Sequence, residues 1–286
     1  MREAIETIRM MRLRVGVQRL RWVVTVSTVA LLAGCAAPTT PWPHSLGTPW
    51  PVDVILLGER HDAADHQRLQ REAVAWLAQG GRLAAVVMEM AEQGHSTRGL
   101  PVTASDADAQ RALQWQDQAW PWQAYGPVVM EAVRAGVPVL GGNLPRAAMR
   151  PAMQEARWDT HLPAEGLQRQ YEALREGHCG LLPEAQIPGM ARIQIARDAA
   201  MAQTVLAARK PGQAVLLIAG AGHVQKSLGV PTHWDRSVSY KVLLAQAGIT
   251  QDAMKNEADA ILQTPPLPDH DACAPLRALP PARSAS

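Results

Sequence analysis

Apolar-rich runs at residues 52–57, 83–88, 137–140, 214–219, 239–245 and 258–263 predict six short strands. Longer stretches with helical periodicity separate them. Residues 63–79 place Leu69, Ala73, Trp76 and Leu77 on one face and stop at Gly80-Gly81. Residues 106–115 predict a helix. Another opens at Pro121 and carries Val128, Val129, Ala132 and Val133 up to Gly136. Residues 146–178 read as helix in pieces, broken at Pro151 and Pro163, and 184–210 as one long helix. The run 214–219 holds no charge, which marks a central strand. Strands alternating with helices predict an α/β fold: a mostly parallel sheet, helices on both faces, and a strand-free helical insertion or cap over about 146–210. The domain would span 52–265, with a Pro-rich C-terminal tail at 266–286.

The N-terminus changes that picture. Arg12, Arg14, Arg19 and Arg21 precede an apolar segment at 22–32 that is short for a bilayer span. It ends in Leu32-Ala33-Gly34-Cys35, which matches the bacterial lipobox. A lipoprotein signal peptide is therefore expected at 1–34, diacylglycerol on Cys35, and an extended tether at 35–51 carrying Pro38, Pro41, Pro43, Pro49 and Pro51. Ala36 after the cysteine matches the outer-membrane default of Gram-negative lipoproteins. The expected location is lipid-anchored to that membrane, facing the periplasm. The formal net charge is +2, but residues 1–34 hold six Arg and two Glu, so the remainder carries 22 basic and 24 acidic side chains. Such a near-neutral domain gives no electrostatic basis for a nucleic-acid partner. Export also implies an oxidising compartment, so Cys179 and Cys273 are expected to form a disulfide between the helical middle and the tail.

Open α/β sheets bind ligands at the carboxyl ends of their strands. Those ends carry Glu59 and His61, then Glu89, then Asn143, then His223. Two chemistries suit this set. Glu59, His61 and His223 could ligate a divalent metal such as Mn, Co or Zn. Alternatively, His61 could act without metal as a general base oriented by Glu59, with Glu89 and His223 completing a hydrolytic site. His66 lies one residue too far from His61 to share its helix face and reads as an N-terminal-turn residue. Gly220-Ala221-Gly222 lacks the third glycine of a dinucleotide fingerprint, and no Gly-x-Ser-x-Gly turn is present. Trp115, Trp120, Trp122 and Tyr125 cluster in a chain with nine Trp, three Tyr and no Phe. At a helix start beside the site, they suit a large planar ligand.

Leu56-Leu57-Gly58-Glu59-Arg60-His61-Asp62, followed by His66 and Gln70, resembles the opening motif of the ChaN family of haem-binding lipoproteins. Met88-Glu89-Met90, Tyr125-Gly126-Pro127, Asn143-Leu144-Pro145-Arg146, Arg197-Asp198-Ala199-Ala200-Met201-Ala202 and Gly220-Ala221-Gly222-His223-Val224 extend the resemblance in order, with Gly229-Val230-Pro231 after them. It implies haem as ligand, a role in haem or iron acquisition, and a homodimer when loaded. It also implies a tyrosine as axial ligand, and a histidine and a lysine near the propionates. Among Tyr125, Tyr171 and Tyr240, the motif favours Tyr125 as that ligand; His178 and Lys226 are the propionate candidates, Lys241 and Lys255 could serve equally as the lysine, and Asn143 and Arg146 are nearby. The same Gly-Glu-x-His motif is similar to a wider superfamily with erythromycin esterases and TIKI-type metalloproteases, which implies a hydrolytic or metal role for Glu59, His61, Glu89 and His223.

Overall fold

Six strands form a single sheet: β1 (Val54–Glu59), β2 (Leu83–Glu92), β3 (Val139–Asn143), β4 (Ala214–Gly220), β5 (Tyr240–Ala247) and β6 (Ala260–Thr264). Their spatial order is β3-β2-β4-β1-β5-β6, and every pairing is parallel. This is a computed structural model that describes residues 52–249, 252–268, 271, 273 and 274, all within one unit, Thr40–Ser286. The expected signal peptide, the tether and Cys35 lie outside the described residues, as does most of the tail.

The central strands are buried on both faces, and their side chains alternate between two cores. Ile55 and Leu57 of β1 join Val74 and Leu77 of α1 (Ala64–Gln79) and Val128 and Val129 of α3 (Trp122–Arg134). Val54 and Leu56 join Met201, Ala202 and Val205 of the long helix α6 (Ile187–Ala208) on the other face. A short α2 (Asp106–Leu113) precedes α3 and starts on a Ser105–Asp108 capping box. Right-handed crossovers explain the two layers. Connections running from β1 towards β3 lie on one face, and those running back towards β6 lie on the other.

The strands end later than the apolar runs suggested. β1 ends on Glu59 and β3 on Asn143, and β2 continues through Glu89 to Glu92. Pairing with neighbouring strands holds Glu59 opposite Gly220 and Asn143 opposite Glu92, and Met88, just before Glu89, opposite Ile218. The β2–β3 register then shifts between Met88 and Glu92, the kind of bulge that re-aims a side chain.

The strand-free segment also divides differently from expectation. α4 (Arg146–Gln154), a 3-10 turn at Ala156–Thr160 and α5 (Ala164–Gly177) form the cap. The C-terminal half of α6 is an ordinary crossover helix, because Met201, Val205 and Ala208 lie in the sheet core. A short α7 (Asp252–Lys255) links β5 to β6. Cys179, just after α5, is disulfide-bonded to Cys273, 94 positions later, with a Cα separation of 5.7 Å.

Candidate functional site

β1 and β4 are neighbours whose chains leave in opposite directions on opposite faces, which opens a crevice at their carboxyl ends. A cleft of about 770 Å³ lies there, lined among others by His61, Glu89, Trp120, Arg197, His223 and Met254. Glu59, at the tip of β1, is buried. Its Oε1 accepts hydrogen bonds from Tyr125 Oη at 2.7 Å and His61 Nδ1 at 2.8 Å. Its Oε2 accepts from Gln67 Nε2 at 2.8 Å and Gln70 Nε2 at 2.5 Å, both on α1. Four donors on one buried carboxylate compensate its loss of water.

His61 is thereby held with Nδ1 on Glu59 and Nε2 towards the cleft, 3.8 Å from Glu89 Oε2. The ring meets the indole of Trp120 edge-on at 4.8 Å. Burial opposes its protonation, but the Glu59 hydrogen bond and the Glu89 charge outweigh burial and raise its pKa. Gly220 makes this approach possible: a Cβ there would lie 2.8 Å from His61 Nε2 and 3.4 Å from Glu89 Oε2.

A second dyad stands behind the first. His223 Nδ1 lies 2.6 Å from Asp198 Oδ1, and its Nε2 lies 3.4 Å from Glu89 Oε1. Glu89 also accepts from the Gly220 backbone N–H at 2.7 Å and from Arg197 Nη2 at 2.5 Å. The buried His223 resists charging through desolvation, yet Glu89 and Asp198 outweigh this and push its pKa up to about 10. Burial works against the Glu89 charge too, but His223 and Arg197 hold its carboxyl well below the usual range. Burial pushes Asp198 up, and His223 offsets only part of that. One carboxylate, Glu89, thus stands between the Nε2 atoms of two imidazoles, each oriented through Nδ1 by another carboxylate.

Of the strand-end residues, Glu59, His61, Glu89 and His223 come together as the topology argument predicts. Asn143 does not line the cleft; its Oδ1 accepts from Arg197 Nε at 2.9 Å and positions that guanidinium. Arg146 does not line it either: its backbone N–H donates to Glu92 at the start of α4. Lys226 pairs with Asp259 at 3.1 Å, as Lys241 does at 3.4 Å, so Asp259 on the β5–β6 side holds both amines outside the cleft lining. His66 is buried, accepting from the Arg60 N–H and meeting Thr264 Oγ1 at 3.1 Å. His178 lines a smaller chamber of about 230 Å³ beside the cleft, with Nδ1 donating to the Leu174 carbonyl.

Tyr125, which the motif favours as iron ligand, is not part of the cleft lining. Its side chain is 1% exposed and its hydroxyl donates to Glu59. Burial and the Glu59 charge push the phenol far above its ordinary pKa, so it stands here as a neutral donor to Glu59. A divalent metal on Glu59, His61 and His223 does not fit. Glu59 and both imidazole Nδ1 atoms are already engaged, and the Arg197 guanidinium holds Glu89. Among the described residues, no group of three or more His, Cys, Asp or Glu is arranged to hold a metal ion.

Arg197, Asp198, Gln67 and Trp120 are site residues that strand-end reasoning alone missed. The available signal for the first two was an adjacent Arg-Asp pair in a stretch of helix whose other positions are mostly Ala, Ile and Met. A buried charge in such a helix demands a partner.

The family model for haem-binding uptake proteins of the Tiki superfamily, ChaN, matches residues 51–234. The chain belongs to this ChaN family. One solved structure, "Cofacial heme binding to ChaN of Campylobacter jejuni", shares 23% identity and covers 73% of this chain and 86% of its own, with a TM-score of 0.60. That likeness shows the α/β fold. A crystal structure of a Bacillus cereus protein matches at 14% identity over 73% of this chain and 68% of its own, with a TM-score of 0.39. No curated protein matches. ChaN membership makes haem the ligand at family level, and the motif residues of the Gly-Glu-x-His stretch are those that build the Glu59–His61 dyad.

Proposed function

We propose that this chain is a lipid-anchored haem-binding protein that serves haem or iron acquisition at the outer membrane, facing the periplasm. The observation that carries it is the cleft at the sheet edge, bordered by α5, in a member of a haem-binding family. Because the Tyr125 hydroxyl is engaged on Glu59, this reading takes Tyr171 on α5 as the axial ligand; Tyr240 opens β5 at the opposite sheet edge. Tyr171 is half-buried, and His178 lies seven residues on, about 10 Å along the same stripe of the helix. A phenol and an imidazole so spaced suit an iron and a propionate. Bound haem would supply a ferric centre that a phenolate binds well as a hard anionic donor. This reading has two copies meeting through this face, as the homodimer that the family resemblance implies for the loaded protein. Leu32-Ala33-Gly34-Cys35 supports the lipid anchor, and the Cys179–Cys273 bond is consistent with an oxidising compartment.

The test is a hemin titration of the unacylated Cys35→Ser chain, followed by visible spectrum and sedimentation. Saturable binding with a ferric-phenolate band and a shift to dimer is expected. The band should disappear in Tyr171→Phe and persist in Tyr125→Phe. No saturable binding would defeat the reading, and a band unchanged in Tyr171→Phe would defeat the ligand assignment.

One observation favours a second reading. The Glu59–His61 dyad presents Nε2 to the cleft, the arrangement in which an oriented imidazole takes a proton from an attacking water. Under this metal-free hydrolase reading, turnover on ester or peptide panels is lost in His61→Ala. Panels without turnover by the wild-type chain would remove it.

A further inference from the structure

Away from the cleft, His161 and His233 stack face to face, with ring centroids 3.9 Å apart and planes inclined by 11°. His161 follows the 3-10 turn Ala156–Thr160 in the middle of the cap, and His233 ends a second 3-10 turn, Val230–His233, in the β4–β5 connection. Trp158 stands at 6.3 Å from both rings. His161 Nε2 meets Thr232 Oγ1 at 2.9 Å, whereas His233 Nε2 is buried with no hydrogen-bond partner among the described residues. The two turns therefore join through a pair of titratable rings with an unmet polar atom at its centre. Below the joint, Leu162 packs on Ile195 of α6 and Leu228 of the β4–β5 connection, and Leu167 of α5 lies against this group. The joint thus sets where α5 sits beside the cleft.

We infer that the His161–His233 stack is a protonation-sensitive joint that docks the cap at neutral pH and releases it on acidification. Two neutral imidazoles can stack, but two imidazolium rings at this distance repel, and a charged His233 ring whose Nε2 is buried without a hydrogen-bond partner lacks solvation. Among the described residues, no neighbouring carboxylate relieves that charge. Asp159 pairs with Arg192 of α6, Arg157 lies over the Trp158 ring and pairs with Glu155, Asp235 caps the Ser237 N–H, and Arg169 of α5 pairs with Glu257. Burial lowers the pKa of both rings, that of His233 to about 3 with His161 as a second cause. The sign follows from linkage. A histidine depressed in the docked state stabilises docking fully above its ordinary value of 6.5, and that contribution is lost as pH falls towards 3.

The inference does not rest on haem binding, and its test needs no ligand. Hydrogen exchange is measured on peptides covering residues 156–167 and 228–234, between pH 7.5 and 5.0, after correction for intrinsic exchange. The opening equilibrium there should rise by tenfold or more at pH 5.0, against little change in β4. His233→Phe keeps a stacked ring without a titrating group and should flatten the response, as should His161→Phe. Equal pH responses in wild type and both variants would overturn the joint, as would a wild-type response spread evenly over the molecule. Melting temperatures at pH 7.5 serve as the folding control. If His233→Phe fails it, His161→Phe carries the comparison.

Discussion

Gly220 decides how close the strand end can come to His61, and its missing side chain is a requirement of contact rather than of backbone angle. Gly220→Ala should push the imidazole off Glu89 while leaving the sheet folded. The expected result in NMR titration is a His61 pKa that moves down towards 6.5, as the Glu89 contribution weakens. An unmoved His61 titration would contradict the contact. His223 makes a second residue-scale prediction. Its pKa is raised in the fold, so its contribution is complete below 6.5 and lost as pH rises through about 10. Glu89 is depressed, so its contribution is complete above 4.5 and fades in acid. Urea midpoints of the wild type should therefore decline from pH 6 to pH 10. His223→Gln should start about 3–5 kcal/mol lower, because buried Asp198 loses its imidazolium partner and Glu89 keeps only Arg197, and should show a flatter alkaline slope. A parallel slope in both proteins would argue against this assignment.

Among the elements, the strand positions were legible from apolar runs, but their ends were not. Glu59 and Asn143 look like loop residues because they are polar, yet pairing with Gly220 of β4 and with Glu92 of β2 keeps each at the end of its strand, and Glu89 lies within β2 just past the Met88–Ile218 pair. A neighbouring strand supplies those bonds, and a local pattern carries no record of it. Likewise, α6 reads as one helix, although its first half packs in the cap and its second half on the sheet. The disulfide acts at this scale, tying the residue after α5 to a segment beyond β6. Cys273→Ser should lower stability by about 2–5 kcal/mol, in line with closing a long loop. The accompanying loss of exchange protection should concentrate at residues 174–182. A midpoint unchanged in denaturant would mean that the bond adds nothing to the fold.

For the whole molecule, sequence alone determined the parallel α/β class and the convergence of four acid and base residues at one sheet edge. Hydrophobic periodicity is local, and crossover handedness turns it into topology with few alternatives. The recurring motifs carried the ChaN resemblance independently of any geometry. Tertiary structure decided the roles within the site. Tyr125 became a buried donor to Glu59, Lys226 was bound to Asp259, and Asp198 and Arg197, 25 and 108 positions from their site partners, became members of the cluster. Whether a tyrosine is ligand or scaffold depends on which atoms surround its hydroxyl. Residues distant along the chain supply those atoms, so only the folded arrangement of the strand ends and helices could fix the answer.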